Sequence, residues 1–183
     1  MVFTAAPVEP TQPTPERQPE KVSYQPQPQS KKEPVSRLAN ELIQLSGFAA
    51  QLMLQSHLVH LNFEGGNFFG VHEFTKGQYK KHQKQLDRFG ELTRSLDFLM
   101  PMCSKGLLGS CKKFQHIKAY EGPAMLITYY ENLECFGTCA KTVAKLAAKM
   151  DAFDIENYCG EVMEDSFTAA WQVKSVLRDS NRY

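Results

Sequence analysis

From Leu38 to Phe69 the chain reads LANELIQLSGFAAQLMLQSHLVHLNFEGGNFF. Leu38, Leu42, Leu45, Ala49 and Leu52 recur at steps of four and three, which puts them on one apolar stripe of a long helix. The helix is expected to run to about Phe63 and to stop at Gly65-Gly66, because paired glycines end a helix cheaply. A second helix is expected from Asn67 to about Leu99, ending before Pro101. It carries Phe74, Leu86, Phe89, Leu92 and Leu96 among many polar residues.

Working outward, Pro101 to Tyr120 reads as irregular, with a short extra helix expected over 105–114. Gly122-Pro123 opens a third long helix, since proline is tolerated in a first turn. Its stripe is Leu126, Tyr130, Leu133, Gly137, Ala140, Ala144 and Ala147. After a break at Met150–Phe153 the fourth repeats the spacing with Ile155, Cys159, Val162, Ser166, Ala169, Val173 and Val176. No useful strand-like alternation interrupts these patterns. Helices of about 25–30 residues are each about 40 Å long. The short connections make helices one and two, and three and four, antiparallel pairs. The long linker between helices two and three can travel the length of the bundle. The expected fold is therefore all-α, a ferritin-like four-helix bundle with a short extra helix in the crossover between helices two and three.

Upstream of this pattern, residues 1–36 hold eight of the ten prolines and five glutamines. So few large apolar side chains cannot offset the entropy of ordering, and a disordered Pro/Gln-rich tail is expected there. The bundle domain spans 37–180, and 181–183 form the C-terminal end. The tail's charges cancel, with Arg17, Lys21, Lys31 and Lys32 against Glu9, Glu16, Glu20 and Glu33. Overall, 21 basic against 20 acidic residues give a net charge of +1, which neither demands nor excludes DNA. No apolar run approaches the roughly 20 residues a bilayer-spanning helix needs, and no secretory leader is visible. A cytoplasmic protein is the default, with association with the nucleoid left open. Cys103, Cys111, Cys135, Cys139 and Cys159 form an odd set without a C-x-x-C pair, read as small buried residues with reduced thiols.

Chemistry gathers around the first interhelical corner. His60 and His72 flank the glycine turn and can converge from two helices. Asp87 and Glu91 lie one turn apart on a face of helix two, as two carboxylates holding a cation would. His72 and Asp87 share that helix but stand about 22 Å apart along it, at 1.5 Å per residue. One chain therefore cannot bring all four to one metal. An antiparallel twofold copy of helix two could, crossing near Gly77–His82. Solvated charges and helix caps would produce the same pattern without any metal.

The stretch from His57 to Leu96 resembles the Dps family, the mini-ferritins that protect DNA during starvation. The shared motifs are H-x-x-H with an asparagine two residues on, G-x-N-F-F, V-H-E and L-D-x-x-x-E. The segment from Glu164 to Leu177 around Trp171 is more loosely similar to the family's last helix, and the tail lies outside the resemblance. The resemblance implies that His60, His72, Asp87 and Glu91 form a ferroxidase centre between twofold-related subunits. It further implies a homo-dodecamer built from such dimers, and Fe(II) oxidation by hydrogen peroxide in preference to dioxygen. Ferric mineral would be stored inside, and the function would be protection from oxidative stress. A two-metal or partially occupied iron centre is expected, and zinc or manganese suits the same ligands.

Two departures stand out. Lys76 replaces an acid that usually supplements the centre. A charged ammonium cannot ligate and repels Fe(II), and it could pair with Glu91 of the partner subunit. Leu61 stands where the family carries a tryptophan. Reduced occupancy is expected, or in the competing reading a structural or DNA-associating shell whose centre has lapsed. A third reading is a small-oligomer interaction bundle with the tail as ligand. His57 reads either as a partner of His60 or as plain packing, and His82 and His116 as surface residues. Asp151, Asp154 and Glu156 fall where related cages line an iron-entry pore, or simply favour a helix start.

Overall fold

The computed structural model describes residues 33–179. The expected tail over residues 1–32 and the end at 181–183 lie outside the described residues. The element order is α1 (Glu33–Asn62), α2 (Phe68–Ser95), α3 (Ser104–Ser110), α4 (Gly122–Ala148) and α5 (Phe153–Asp179). The all-α bundle with an extra short helix in the crossover is the architecture found. No described helix is long and apolar enough to cross a membrane.

The α1 stripe is the core's spine: Leu38, Leu42, Ala49 and Leu52 are wholly buried, and Leu45 nearly so. α1 reaches back to Glu33, inside the stretch read as tail, and the Ser36 hydroxyl bonds the Glu33 carbonyl. α1 packs on α2, α4 on α5, and α1 on α4. The α4–α5 pair is antiparallel, because Tyr130 meets Lys174 while Gly137 meets Phe167. A Cβ at Gly137 would press on the Phe167 ring and Ser166, so glycine sets how closely these helices approach.

Helix ends explain the departures from the expected boundaries. α2 stops at Ser95 because Asp97 adopts a left-handed φ of 69°. Its N–H bonds the Arg94 carbonyl, and the Phe98 N–H bonds that of Thr93. This pair of bonds is a Schellman closure. α4 closes the same way with Asp151 at φ 54°, the Asp151 N–H on Ala148 and the Ala152 N–H on Ala147. α3 is shorter than expected, capped by the Cys103 thiol accepting from the Gly106 N–H at 3.3 Å.

Amides strap the crossover to the bundle. Gln51 donates to the Leu108 carbonyl at 3.0 Å, and Gln55 to the Gln115 carbonyl at 3.0 Å. Buried Asn132 of α4 donates to that Gln115 carbonyl and to Gln55 Oε1, and accepts from the Gln115 N–H. Buried amides bonded in this way hold one register, since leaving such a bond unmade costs about 1–3 kcal/mol.

Side-chain direction inside the bundle differs from the sequence reading in two places. On α4, Tyr129, Phe136 and Val143 are buried. Tyr130 and Ala144 are only partly so, and Tyr130 bonds Glu134 at 2.6 Å. On α2 the buried row is mostly polar: Thr75, Gln78, His82, Gln85, then Phe89 and Leu92.

Candidate metal centre

The corner between α1 and α2 turns at Gly65, whose φ of 132° belongs to glycine. The Phe68 N–H then bonds the Gly65 carbonyl at 3.1 Å and α2 begins. This turn brings His60, in the last turn of α1, against His72, in the second turn of α2. Their rings stack at 3.7 Å with 26° between planes. His60 Nδ1 lies 2.8 Å from the His72 carbonyl oxygen, and His72 Nδ1 lies 3.0 Å from that of His60. The His60 carbonyl is one of the four that a helix end leaves without an intrahelical donor, so His72 satisfies it. A carbonyl oxygen can only accept, so each Nδ1 carries the hydrogen. Each neutral imidazole then keeps its lone pair on Nε2, the state a metal ligand needs. Both side chains are half-buried.

Tyr79 completes this patch. Its ring lies 4.5 Å from that of His57 and 5.7 Å from that of His60. The sequence reading passed over it, although its spacing of seven from His72 puts it on the same helix face. His57 packs on Tyr79, with its ring 6.1 Å from His60. Phe68 covers His72 at 5.1 Å. Lys76 reaches neither imidazole; it bonds Glu73 at 3.2 Å in an exposed pair of little energetic weight.

At the other end of α2, Asp87 and Glu91 are both exposed. Arg88 holds Glu91 at 2.9 Å and lies 5.9 Å from the Tyr158 ring. Among the described residues of one chain, no three of His, Cys, Asp or Glu come together as a metal site. The His60–His72 pair at the α1–α2 corner and the Asp87 and Glu91 carboxylates thus stand at opposite ends of α2.

His82 corrects the sequence reading. It is 2% exposed, not on the surface. Its Nδ1 lies 2.8 Å from Gln85 Oε1 and its Nε2 lies 3.0 Å from the Tyr129 hydroxyl. Burial holds its pKa down to about 4 from an ordinary 6.5. Both nitrogens are taken, which leaves none for a metal.

His116 is exposed, as expected. Asp151 caps α4, while Asp154 and Glu156 occupy the first turn of α5, where acids oppose the helix dipole favourably. All five cysteines are free thiols. Only Cys159 is buried, Cys111, Cys135 and Cys139 are half-buried, and Cys103 is exposed, so the expectation of a wholly buried set fails. Burial pushes the Cys139 thiol up to about 11 and that of Cys159 to about 12, keeping both protonated.

A family profile described as ferritin, ferritin-like domain, matches residues 38–183. Among solved structures, the Dps protein of Vibrio cholerae O1 superposes with a TM-score of 0.72 at 17% identity, over 79% of this chain and 91% of that one. It is described as one of a broad superfamily of ferritin-like diiron-carboxylate proteins. A Dps protein of Bacillus brevis superposes with a TM-score of 0.76 at 16% identity, covering 80% of this chain and 99% of its own. The dodecameric thioferritin of Bacteroides fragilis, a bacterioferritin-related protein, gives 0.76 at 13% identity, over 81% and 88%. These likenesses concern the fold. No curated protein sequence matches.

Proposed function

From a chain that belongs to the ferritin-like family, we propose a mini-ferritin of the Dps kind. It oxidises Fe(II), preferably with hydrogen peroxide, at centres shared by twofold-related subunits, and stores ferric mineral in a dodecameric shell. One observation carries the reading: the reciprocal His60–His72 pair, which fixes both Nδ1 hydrogens on carbonyls and leaves both Nε2 atoms as ligands. The missing oxygens are Asp87 and Glu91 of the partner subunit, reached when two α2 helices cross antiparallel near Gly77. Gly77 is exposed with open space where a Cβ would stand, which favours close approach there. On α1, Leu54, Leu58 and Leu61 form an exposed apolar row, 46%, 57% and 63% accessible, of the kind a second copy covers.

In this arrangement the imidazoles and carboxylates bind Fe(II) as substrate and orient it, and carboxylate charge favours the ferric product. Each Fe(II) gives up one electron, and peroxide that takes electrons in pairs leaves as water rather than as hydroxyl radical. Lys76 sits one turn from His72 on α2. Its charge weakens Fe(II) binding, giving partial occupancy. Asp151, Asp154 and Glu156, gathered at the α4–α5 turn, are the proposed iron-entry pore. Zinc and manganese are competing occupants.

Anaerobic Fe(II) titration of the purified assembly, followed by peroxide, tests the reading. Saturable binding and Fe(II)-dependent peroxide consumption are expected, and an assembly that shows neither refutes it. A second reading, a structural or DNA-associating shell with a lapsed centre, is favoured by two features: a lysine, Lys76, one turn from His72 and Glu91 already held by Arg88. It predicts an intact shell without peroxide consumption.

A further inference from the structure

At one level the bundle interior is polar: His82 and Gln85 of α2 face Tyr129 of α4, and buried Ser56 of α1 lies within hydrogen-bond reach of the Tyr129 hydroxyl. The Gln85 amide oxygen, 2.8 Å from His82 Nδ1, can only accept, so Nδ1 carries the hydrogen. Nε2 is then a lone pair, and the Tyr129 hydroxyl donates to it at 3.0 Å. Tyr129 is wholly buried and His82 almost so. We propose that Tyr129 and His82 form a proton-coupled one-electron site that accepts an oxidising equivalent from a peroxide-derived one-electron oxidant.

The step balances within the pair and its oxidant. Tyr129 loses one electron to the oxidant, which is reduced by one. The phenolic O–H bond breaks, and its proton moves along the existing hydrogen bond to His82 Nε2. A neutral phenoxyl and an imidazolium remain, the latter held through Nδ1 by Gln85. One electron returned by Fe(II) or a thiol reverses both transfers.

Three features favour this use of the pair. The acceptor nitrogen is already in place, so the proton moves without rearrangement. Burial keeps His82 unprotonated at neutral pH, and a phenol radical cation is a far stronger acid even than an imidazolium of pKa about 4. Burial also lifts the Tyr129 phenol well above its usual range, so no route through simple ionisation exists. Oxidation without a base would strand a charge in the core. Outside the pair, Asp165 favours the imidazolium and Lys81 opposes it, and the two are themselves paired at 2.6 Å. Phe136, 6.2 Å from His82, and Phe89 behind it give the radical nothing to attack.

The pair needs no bound metal, so its test uses the metal-free full-length assembly and stands apart from the ferroxidase reading. The protein is oxidised with a photogenerated ruthenium(III) tris-bipyridyl complex and followed by transient absorbance and high-field EPR, in light and heavy water. A long-lived tyrosyl radical is expected, with the g-shift of a hydrogen-bonded phenoxyl and slower formation in heavy water. Tyr129→Phe, which removes only the hydroxyl, should abolish it. His82→Gln, which keeps an acceptor but loses the base, should lower its yield by about tenfold, the scale of one lost hydrogen bond. A wild-type protein without such a radical overturns the proposal. So does Tyr129→Phe retaining it, or His82→Gln leaving its yield unchanged. If either variant fails to fold, the wild-type g-shift and isotope effect decide alone.

Discussion

His72 and His82 stand ten residues apart on α2 and have opposite surroundings. His72 is half-buried at the open corner, its Nδ1 tied to the His60 backbone and its Nε2 unclaimed. His82 is sealed in the core with both nitrogens bonded. The difference teaches that a histidine's role follows from where its second nitrogen goes. One free lone pair at a partly exposed corner suits an incoming cation. Two filled positions in a dry interior suit proton sharing and register.

Replacing each histidine is the most direct way to break the comparison. His72→Ala removes a proposed ligand, so the initial rate of Fe(II) oxidation should fall by more than the roughly 10–100-fold that losing a ligand's hydrogen-bond partner costs. Its melting temperature should move little. His82→Ala should do the reverse. It leaves the Tyr129 hydroxyl unpartnered beside a cavity, costing about 2–4 kcal/mol in urea unfolding while Fe(II) binding stoichiometry is retained. Equal effects of both changes on iron binding would erase the distinction.

Acid should sharpen it. The unfolded chain binds a proton at His82 near pH 6.5, whereas the folded chain does so only at about 4. Between those values the unfolded state holds more protons, so stability falls as pH drops through that window, by on the order of 3 kcal/mol in total. Above about 6.5 His82 contributes no pH dependence. His82→Gln should flatten this slope in denaturant melts taken from pH 7 to 4. An unchanged slope would mean that His82 charges without cost.

The smallest expected effect concerns the neighbour of His72. Lys76→Asp exchanges a repelling ammonium for a carboxylate and should raise peroxide-driven Fe(II) oxidation several-fold, roughly 1 kcal/mol of improved binding. Because the Lys76–Glu73 pair is exposed, thermal stability should stay nearly constant. A rate equal to or below that of the parent chain would count against this role for Lys76.

Legibility in the sequence tracked how local the cause was. The α1 and α5 stripes were readable residue by residue, since Leu38 to Leu52 and Ile155 to Val173 are buried where the spacing put them, apolar apart from Ser166. The α2 row was not. Lys80, Lys81, Gln83 and Lys84 surround His82, and a hydropathy pattern cannot see that Thr75, Gln78, His82 and Gln85 follow the same steps of three and four inward. On α4 the choice between Tyr129 and Tyr130 is a rotation of about 100° per residue, which only packing settles. The end of α2 at Asp97 was missed because a left-handed cap is commonly glycine, and aspartate takes it only where local bonds favour it, whereas the break containing Asp151 was legible. At the site, the pairing of His60 with His72 was legible from the glycine turn, while the reciprocal Nδ1–carbonyl bonds and Tyr79 were not.

The sequence by itself determined four long helices, their short and long connections, and that His72 stands too far along α2 from Asp87 and Glu91 to meet them within a chain. These follow from periodicity and from rise per residue, which are properties of the backbone alone. Only the tertiary structure decided which polar side chains turn into the core and whether a histidine keeps a nitrogen free, as His72 does, or has both bonded, as His82 does. Those choices depend on what another helix presents at the same level: a carbonyl for His72, a phenol for His82.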